Sequence, residues 1–319
     1  MKPTHLFFLL LTFLTLSNTA LAAPKSKKVK KELFPAGPLI ERKVKFWEAI
    51  FTEYSSDQLV VHDLRQPDLI IGVVPFMKGT GQRMANYPKI YDEAVRDFSL
   101  KGESAKTMSS VHKKIWSVYR KDERAQSALL SGRVELRTQL GLSDIFHGAA
   151  LRAQKYLPKM EKIFAEHDLP IEITRLPFVE SMFQIEARSK VGAAGLWQLM
   201  PGAAAPHIVV SRKVDERGSP LKATYAAARI MKANYKKLGS WPLAITAYNH
   251  GANGVARGVK KIKSENLADL ILSYRSNSFG FASKNFYAEF LAAERSYNKW
   301  QIAQKSRNKE KQKRVAVAD

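Results

Sequence analysis

Amphipathic helical patterns follow one another between residues 151 and 300, and they limit the possible folds more than any other feature. One apolar stripe in this region consists of Tyr156, Met160, Ile163, Phe164 and His167. Glycine and proline stand where one pattern gives way to the next: Gly239 is placed to end a helix, and Trp241-Pro242 to begin another. The spacing of the apolar residues follows the helical period, so the sequence predicts a mainly α fold. Because no motif recurs at the longer intervals typical of repeat proteins, this fold is not expected to be a solenoid.

The chain upstream of residue 151 is predicted to be mostly helical, with one small β-hairpin. The segments "QLVVH" from Gln58 and "LIIGVV" from Leu69 are β-like runs, and a turn with Asp63 and Pro67 separates them. A helical stripe before the hairpin consists of Val44, Trp47, Phe51 and Tyr54. This part of the chain has no evident chemistry of its own, so we looked for functional residues further downstream.

The first residues have the pattern of a secretory signal peptide. Lys2 gives a basic end, residues 6–16 are apolar, and the small residues A-L-A at 20–22 form a cleavage site. The basic run "PKSKKVKK" follows at once, which is unlike a membrane-spanning helix. We therefore expect the mature protein to begin near Ala23 and to work outside the cytoplasm.

These patterns divide the chain into four parts. Residues 1–22 are the signal peptide, and residues 23–150 are a basic arm followed by the mostly helical N-terminal region. Residues 151–300 are the region of successive helices that is expected to carry the function. Residues 301–319, with "KSRNKEKQKR", are predicted to be a basic disordered tail.

Composition removes several classes of function. The chain has no cysteine, which excludes disulfides, thiolate nucleophiles, zinc-thiolate sites and a lipid anchor on a cleavage-site cysteine. Its formal net charge of +23 points to an anionic polymer or surface as partner. Nucleic acid is not the expected partner, because the basic runs lack the interleaved aromatic residues of a strand-binding surface.

A glutamate stands in the apolar segment "LPFVESMFQ". Read as a helix, this segment places Glu180 on one face with Leu176, four residues before it, and Phe183, three residues after it. Because burying an ionised carboxylate without a partner is costly, such a group shifts its pKa upward. A carboxyl group that keeps its proton near neutral pH suits a general acid.

Two further motifs follow Glu180 in order, "GAAGLWQLMP" at 192–201 and "AYNHGANG" at 247–254. The glycines at 192 and 195 would let the backbone approach a ligand closely. The polar side chains that would serve a sugar ligand or the acid itself are Ser181, Gln198, Tyr248 and Asn249. Each piece alone is more often structural, as a boundary glutamate, a glycine turn or a helix end. Their co-occurrence in this order favours a site.

The segments "PFVESMFQIEARSKVGAAGLWQLMP" and "AYNHGANGV" resemble the lytic transglycosylases with a soluble-lysozyme-like (SLT, family 1) catalytic domain. Among these enzymes the chain looks most like the membrane-bound type D group. The resemblance covers about residues 151–300, and the upstream "FWEAIFTEYSSDQLVVHD" is similar to the N-terminal region of the type D group. It implies a lysozyme-like catalytic domain after the mostly helical N-terminal region.

The resemblance also implies roles for single residues. Glu180 matches the catalytic glutamate of the family, and Ser181 matches the serine beside it. The run at 195–198 matches the G-L-M-Q motif, with tryptophan in place of methionine, and the run at 247–249 matches the A-Y-N motif. A further family tyrosine corresponds to either Phe286 or Tyr287 in "NFYAEF".

The implied reaction is a non-hydrolytic cleavage of peptidoglycan glycan strands. Glu180 would protonate the oxygen between N-acetylmuramic acid and N-acetylglucosamine. It would then accept the proton of the muramoyl C6 hydroxyl as that oxygen attacks C1, which gives a 1,6-anhydro end. The resemblance implies no metal or cofactor, and it implies a periplasmic protein associated with the cell wall. The oligomeric state stays open.

Two alternatives remain at this point. Ordinary glycoside hydrolysis uses two carboxylates, and the candidates for a second one are Glu186, Asp215 and Glu216. Glu186 lies on another side of a helix that would continue from Glu180, and the other two lie in a polar loop. A hydrolytic muramidase on the same fold is one alternative, and a non-catalytic peptidoglycan-binding protein is the other.

Overall fold

The computed structural model describes residues 32–77 and 89–318. The expected signal peptide at 1–22 lies outside this range, as does the glycine-containing segment at 79–84. Twelve α-helices are present in the described residues: α1 Pro38–Thr52, α2 Ile90–Lys101, α3 Ser110–Tyr119, α4 Glu123–Leu130, α5 Ser143–Glu166, α6 Leu176–Glu180, α7 Pro201–Ala204, α8 Pro220–Leu238, α9 Trp241–His250, α10 Ala252–Ile262, α11 Leu267–Ser273 and α12 Phe281–Ala318. The predicted mainly α fold is confirmed.

The small sheet contains the predicted hairpin and one further strand. Strands β1 (Gln58–Asp63) and β2 (Ile70–Pro75) pair antiparallel, and β3 (Leu136–Leu140) pairs antiparallel on the other side of β1. In this register Leu59 of β1 lies opposite Val74 of β2 and Leu140 of β3. We did not predict β3 from the sequence, because its pairing with β1 bridges a long separation along the chain.

Several helix boundaries follow the local sequence signals. Gly239 takes a left-handed conformation, with φ of 71°, and ends α8 as predicted. Proline stands in the first turn of α9, where its missing N–H has no helical partner to lose. These two boundaries place α9, and with it the A-Y-N motif, against the C-terminal part of α8.

One large hydrophobic core joins the N-terminal helix to the helices of the second half. Val44 of α1, Ala153 of α5 and Phe290 of α12 are fully buried in it. The boundary predicted between residues 150 and 151 therefore falls within α5, in the middle of a continuous core. The residues from Phe34 onward belong to one compact unit.

A second, smaller core lies between the sheet and helices α2 to α4. It consists of Val61, Leu69, Ile71, Ala94, Val95, Phe98, Ala105, Ile115, Tyr119, Ala125 and Leu129. This part of the structure matches the mostly helical N-terminal region with a hairpin that the sequence predicts.

The C-terminal helix is longer than the sequence pattern suggested. We predicted a disordered tail from residue 301, whereas α12 continues to Ala318. The segment 281–318 contains neither glycine nor proline, and its lysine, glutamate, glutamine and arginine residues have high helix propensity. Within the described residues, no helix is both long enough and apolar enough to cross a membrane.

Candidate active site

Glu180 is the last residue of the short helix α6. Pro177 stands in the first turn of α6, and Leu176 and Phe178 are buried. Met182 and Phe183 then take left-handed conformations, with φ of 50° and 56°, so the chain reverses immediately after the site. Our expectation that Phe183 continues the helical face is wrong, although the turn does bury its side chain.

The side chain of Glu180 is half-buried, and its surroundings disfavour the charged form. Burial, together with the nearby charge of Glu289, raises the pKa of Glu180 to about 8. No residue of the described chain forms a hydrogen bond with its carboxyl group. At neutral pH this carboxyl group therefore holds a proton that it can donate.

Glu289, in α12, is a second carboxyl group close enough to influence Glu180, and the sequence reasoning missed it. Burial raises its pKa to about 8 as well, and the charge of Lys43 opposes that increase. A signal for it was present in the sequence. Glu289 lies three residues after Phe286 and four before Ala293, so it interrupts an apolar helical face as Glu180 does.

The turn that contains Gly195 packs tightly against the backbone of another segment. Gly195 has a φ of 77°, and a Cβ atom at this position would lie 1.9 Å from the carbonyl oxygen of Arg217. Gly192 also has a positive φ, of 92°, but a Cβ there would meet no atom within 4 Å. We expected these glycines to admit a ligand, and at Gly195 the close approach is to the protein itself.

Ser181 and Gln198 hold this turn beside the end of α6. The hydroxyl of Ser181 donates to the carbonyl oxygen of Leu196 at 2.8 Å. The amide nitrogen of Gln198 donates to the carbonyl oxygens of Gly195 at 2.9 Å and Ala187 at 3.1 Å. The amide oxygen of Gln198 has no hydrogen-bond partner within residues 32–77 and 89–318, so it is the atom left for a ligand.

A buried arginine also supports this turn, and we did not predict its role from the sequence. The guanidinium group of Arg217 donates to the carbonyl oxygens of Gly192 at 2.7 Å and Leu199 at 2.9 Å. It also pairs with Asp215, and its hydrogen bonds hold the pKa of that carboxyl group at about 2. Both carboxylate oxygens of Asp215 accept hydrogen bonds from Arg217 or Arg188, so this group supports the turn and is not free to act as a second catalytic carboxylate.

Tyr248 lies close to Glu180, but its hydroxyl group is directed elsewhere. Its pKa is raised well above the usual value by burial and by the charge of Glu180. The hydroxyl group donates to the carbonyl oxygen of Trp197 at 2.9 Å, and not to the acid, which was one of the partners that the sequence suggested. The hydroxyl oxygen keeps its capacity to accept a hydrogen bond.

The structure distinguishes Phe286 from Tyr287. The ring of Phe286 stacks on Tyr248, with ring centroids 6.5 Å apart and an interplanar angle of 11°. The hydroxyl of Tyr287 instead donates to the carbonyl oxygen of Pro35 at 3.1 Å. Phe286 is therefore the aromatic residue of this pair that contacts the site.

Trp197 and Asn249 have different surroundings, although both belong to the sequence motifs. Trp197 is fully buried, stacks on Phe164 and donates to the hydroxyl of Thr224 at 2.9 Å. Asn249 is exposed, and its side-chain oxygen accepts a hydrogen bond from Ser283 at 2.9 Å. Trp197 is a core residue, whereas the amide of Asn249 is open to solvent at the junction of α9 and α12.

Comparison with known proteins finds similarity over part of the chain. Residues 161–271 match the model of the transglycosylase SLT domain. Over 134 residues, the chain is 32% identical to membrane-bound lytic murein transglycosylase D of Escherichia coli (strain K12). It is 35% identical over 126 residues to a protein of Alteromonas sp. (strain M-1) described as a tributyltin chloride resistance protein.

These matches cover only part of each protein. The aligned residues are 41% of this chain and 30% of the Escherichia coli protein, and 39% of this chain and 61% of the Alteromonas protein. Among solved structures, the lytic transglycosylase Slt of Pseudomonas aeruginosa aligns with a TM-score of 0.41 at 18% identity. That alignment covers 70% of this chain and 39% of the other. Glu180, Ser181, Gln198 and Tyr248 all fall within residues 161–271, the part of the chain that matches the transglycosylase SLT domain.

Proposed function

We propose that this protein is a peptidoglycan lytic transglycosylase. It cleaves the β-1,4 bond between N-acetylmuramic acid and N-acetylglucosamine and leaves a 1,6-anhydromuramoyl end. The observation that carries the proposal is Glu180, whose carboxyl group is held protonated within a matched SLT domain.

Glu180 acts as the acid and then as the base. Its proton passes to the glycosidic oxygen as the bond from that oxygen to C1 breaks, and N-acetylglucosamine leaves with a 4-hydroxyl group. The oxygen of the muramoyl C6 hydroxyl then bonds to C1, and its proton returns to the carboxylate of Glu180. Glu180 donates one proton and regains one, so the reaction consumes no water and needs no second carboxylate.

The other motif residues bind and position the sugar. The free amide oxygen of Gln198 accepts a hydrogen bond from a sugar hydroxyl or acetamido group, and the exposed amide of Asn249 provides another contact. The oxygen of Tyr248 accepts a hydrogen bond from the substrate, while its O–H group remains donated to the carbonyl oxygen of Trp197. Ser181 acts by fixing the turn that carries Gln198.

A hydrolytic muramidase is the second candidate, because Glu289 provides another carboxyl group near the acid. A base that activates water must be ionised in the working enzyme. Burial raises the pKa of Glu289 to about 8, so near neutral pH this group is mostly protonated and is a poor base. The electrostatics therefore favour attack by the C6 hydroxyl over attack by water.

The proposed setting is the periplasm, in association with the cell wall. The signal-peptide pattern at 1–22 supports export, and the net charge of +23 supports retention on an anionic wall polymer. Glycan strands of peptidoglycan are the proposed partner.

Mass spectrometry of the muropeptides released from purified peptidoglycan tests this proposal, with Glu180→Gln measured in parallel. We expect 1,6-anhydro ends from the wild type and no release from the variant. Reducing ends from the wild type would replace the transglycosylase with a muramidase. Release by neither protein, with both sedimenting with the wall, would replace it with a non-catalytic wall-binding protein.

A further inference from the structure

A cavity of about 440 Å³ lies between the N-terminal helix α1, the turn after β1, and helices α11 and α12. Four basic side chains line it: Lys43, Arg65, Arg275 and Lys284. They come from segments that are distant in the sequence, and none of them belongs to the motifs of the candidate active site. We call this cavity the basic pocket.

The basic side chains of the pocket have no direct acidic partner in the part of the chain that the structure describes. Within residues 32–77 and 89–318, none of the four side chains forms an ion pair with a carboxylate. Burial lowers the pKa of Lys284, and the charges of Arg275 and Arg65 lower it further. These cations therefore repel one another, and an anion in the pocket would relieve that repulsion.

Lys43 forms the buried part of the basic pocket. It is 4% exposed, and its ammonium group donates to the side-chain oxygen of Asn285 at 3.1 Å. Burial lowers its pKa to about 8, and the charge of Lys284 contributes in the same direction. A buried lysine whose one hydrogen-bond acceptor is a neutral amide keeps two N–H groups for a ligand.

The acidic groups that face Lys43 are already engaged elsewhere. Asp68 pairs with Arg42 at 2.8 Å, and Asp63 accepts a hydrogen bond from Tyr119 at 2.9 Å. Glu289 has a raised pKa and is mostly protonated at neutral pH. Asp68 and Asp63 therefore act on Lys43 only from a distance, and the N–H groups of Lys43 that they leave unpaired can bind an external anion.

Apolar side chains also line the basic pocket, and they favour anions that carry apolar groups. Leu39, Leu64 and Leu272 line it beside the cations, and the ring of Phe281 forms a further wall. The guanidinium group of Arg137 stacks on that ring at 4.3 Å and adds a fifth cation nearby. Inorganic phosphate would use only the charges, whereas an aliphatic peptide with free carboxylates would use both the charges and the walls.

We propose that the basic pocket binds the free carboxylates of a peptidoglycan peptide stem. This inference rests on the proposed function, because peptidoglycan provides glycan strands and acidic peptide stems in one polymer. The pocket and the active site share α12: Asn285 lines the pocket, Phe286 contacts Tyr248, and Glu289 follows one turn later. A stem bound here would help to hold the strand near Glu180.

Calorimetric titration of the whole protein with the tripeptide L-Ala-γ-D-Glu-meso-diaminopimelate tests the proposal without any cleavage. The test variant is Arg65→Gln/Arg275→Gln, because both side chains are exposed at the rim and their loss leaves the core intact. The matched control is Lys113→Gln/Lys114→Gln, which removes the same charge from an exposed part of α3. We expect about tenfold weaker binding to the rim variant and unchanged binding to the control.

Two results would overturn the proposal: no binding of the tripeptide to the wild type, whether or not pyrophosphate binds, or equal weakening in both variants. A cleavage assay separates this outcome from failure of the proposed function. We expect the rim variant to lose activity on intact peptidoglycan and to keep it on glycan strands freed of peptides. Equal loss on both substrates would contradict the pocket, whereas inactivity of the wild type would contradict the proposed function.

Discussion

The first turns of α12 border two regions with opposite kinds of charge. The active site holds two carboxyl groups, Glu180 and Glu289, whereas the basic pocket holds four cations. In both regions burial moves the group toward its neutral form, so it raises the pKa of the glutamates and lowers that of Lys43. Asn285 and Glu289 lie on the same face of α12, one turn apart, which places Lys43 at the boundary between the regions.

Burial of an ionisable group has a different consequence in each of these two regions. In the active site, burial prepares a proton for donation, and none of the described residues forms a hydrogen bond with the carboxyl group of Glu180. In the basic pocket, burial makes the positive charge of Lys43 unfavourable, so an anion that binds there would stabilise the charged form. The same chain, with a net charge of +23, therefore keeps two protonated carboxyl groups beside a cluster of cationic side chains that form no ion pairs.

The largest effect is expected from removing the acid. Glu180→Gln preserves the size and hydrogen-bonding capacity of the side chain but cannot donate the proton. We expect cleavage of peptidoglycan to fall by a factor of about 100 to 10,000, the usual contribution of general acid–base catalysis. Rates of soluble muropeptide release would measure this, with circular dichroism to confirm folding. Retention of more than a tenth of the activity would exclude Glu180 as the acid.

A substitution of Gly195 is expected to have the next largest effect, because the backbone of Arg217 leaves no space for a side chain at this position of the turn at 192–199. In Gly195→Ala the new methyl group would lie 1.9 Å from the carbonyl oxygen of Arg217, at a positive φ. We expect a loss of about 3 kcal/mol in the free energy of unfolding. Gly192→Ala is the matched control, since it has the positive φ without the contact, and about 1 kcal/mol is expected there. Equal losses in chemical denaturation would contradict this packing.

Opposite pH dependences of stability would sharpen the comparison between the two regions. The pKa of Glu289 is raised from 4.5, its value in the unfolded chain, to about 8 in the folded protein. Its titration therefore does not change the free energy of unfolding below pH 4.5, and it lowers that free energy increasingly as the pH rises toward 8. The pKa of Lys43 is lowered from 10.5 to about 8. The loss of stability from burying its charge is therefore complete below pH 8, and it disappears as the pH rises toward 10.5.

Neutral variants should therefore be more stable than the wild type in different pH windows. We expect the gain of Glu289→Gln to grow between pH 4.5 and 8, and that of Lys43→Met to shrink between pH 8 and 10.5. The gain at its greatest should be on the order of 2 kcal/mol for each variant. Denaturant unfolding across this pH range measures both. Gains that are independent of pH would show that the two groups are not held near neutrality by burial.

The smallest expected effect is a shift of the pH–activity profile. Activity requires protonated Glu180, so it should decline as the pH rises through about 8. Glu289→Gln removes a like charge and should lower the pKa of Glu180, which moves the decline to lower pH. Glu294→Gln is the matched control, because this half-buried glutamate of α12 is not among the groups that shift Glu180. An unmoved profile in Glu289→Gln would contradict the coupling.

The parts of the site that the sequence predicted are those encoded locally. Glu180 interrupts an apolar run, Gly195 marks a tight turn, and Tyr248 belongs to a short motif, so each is visible within a few residues. Glu289 was missed because its importance depends on α12 packing beside α6. The basic pocket was missed because Lys43 and Lys284 are brought together only by the fold. Likewise, β3 was missed because its partner β1 lies far upstream.

A direct measurement of the two carboxyl groups tests the central claim. Glutamate labelled with carbon-13 at the side-chain carboxyl can be followed by nuclear magnetic resonance through a pH titration of the wild type, Glu180→Gln and Glu289→Gln. We expect two resonances to titrate near pH 8 in the wild type, and one of them to be absent from each variant. Titration of both groups near the ordinary glutamate value of 4.5 would contradict a protonated acid at Glu180 and the mechanism built on it.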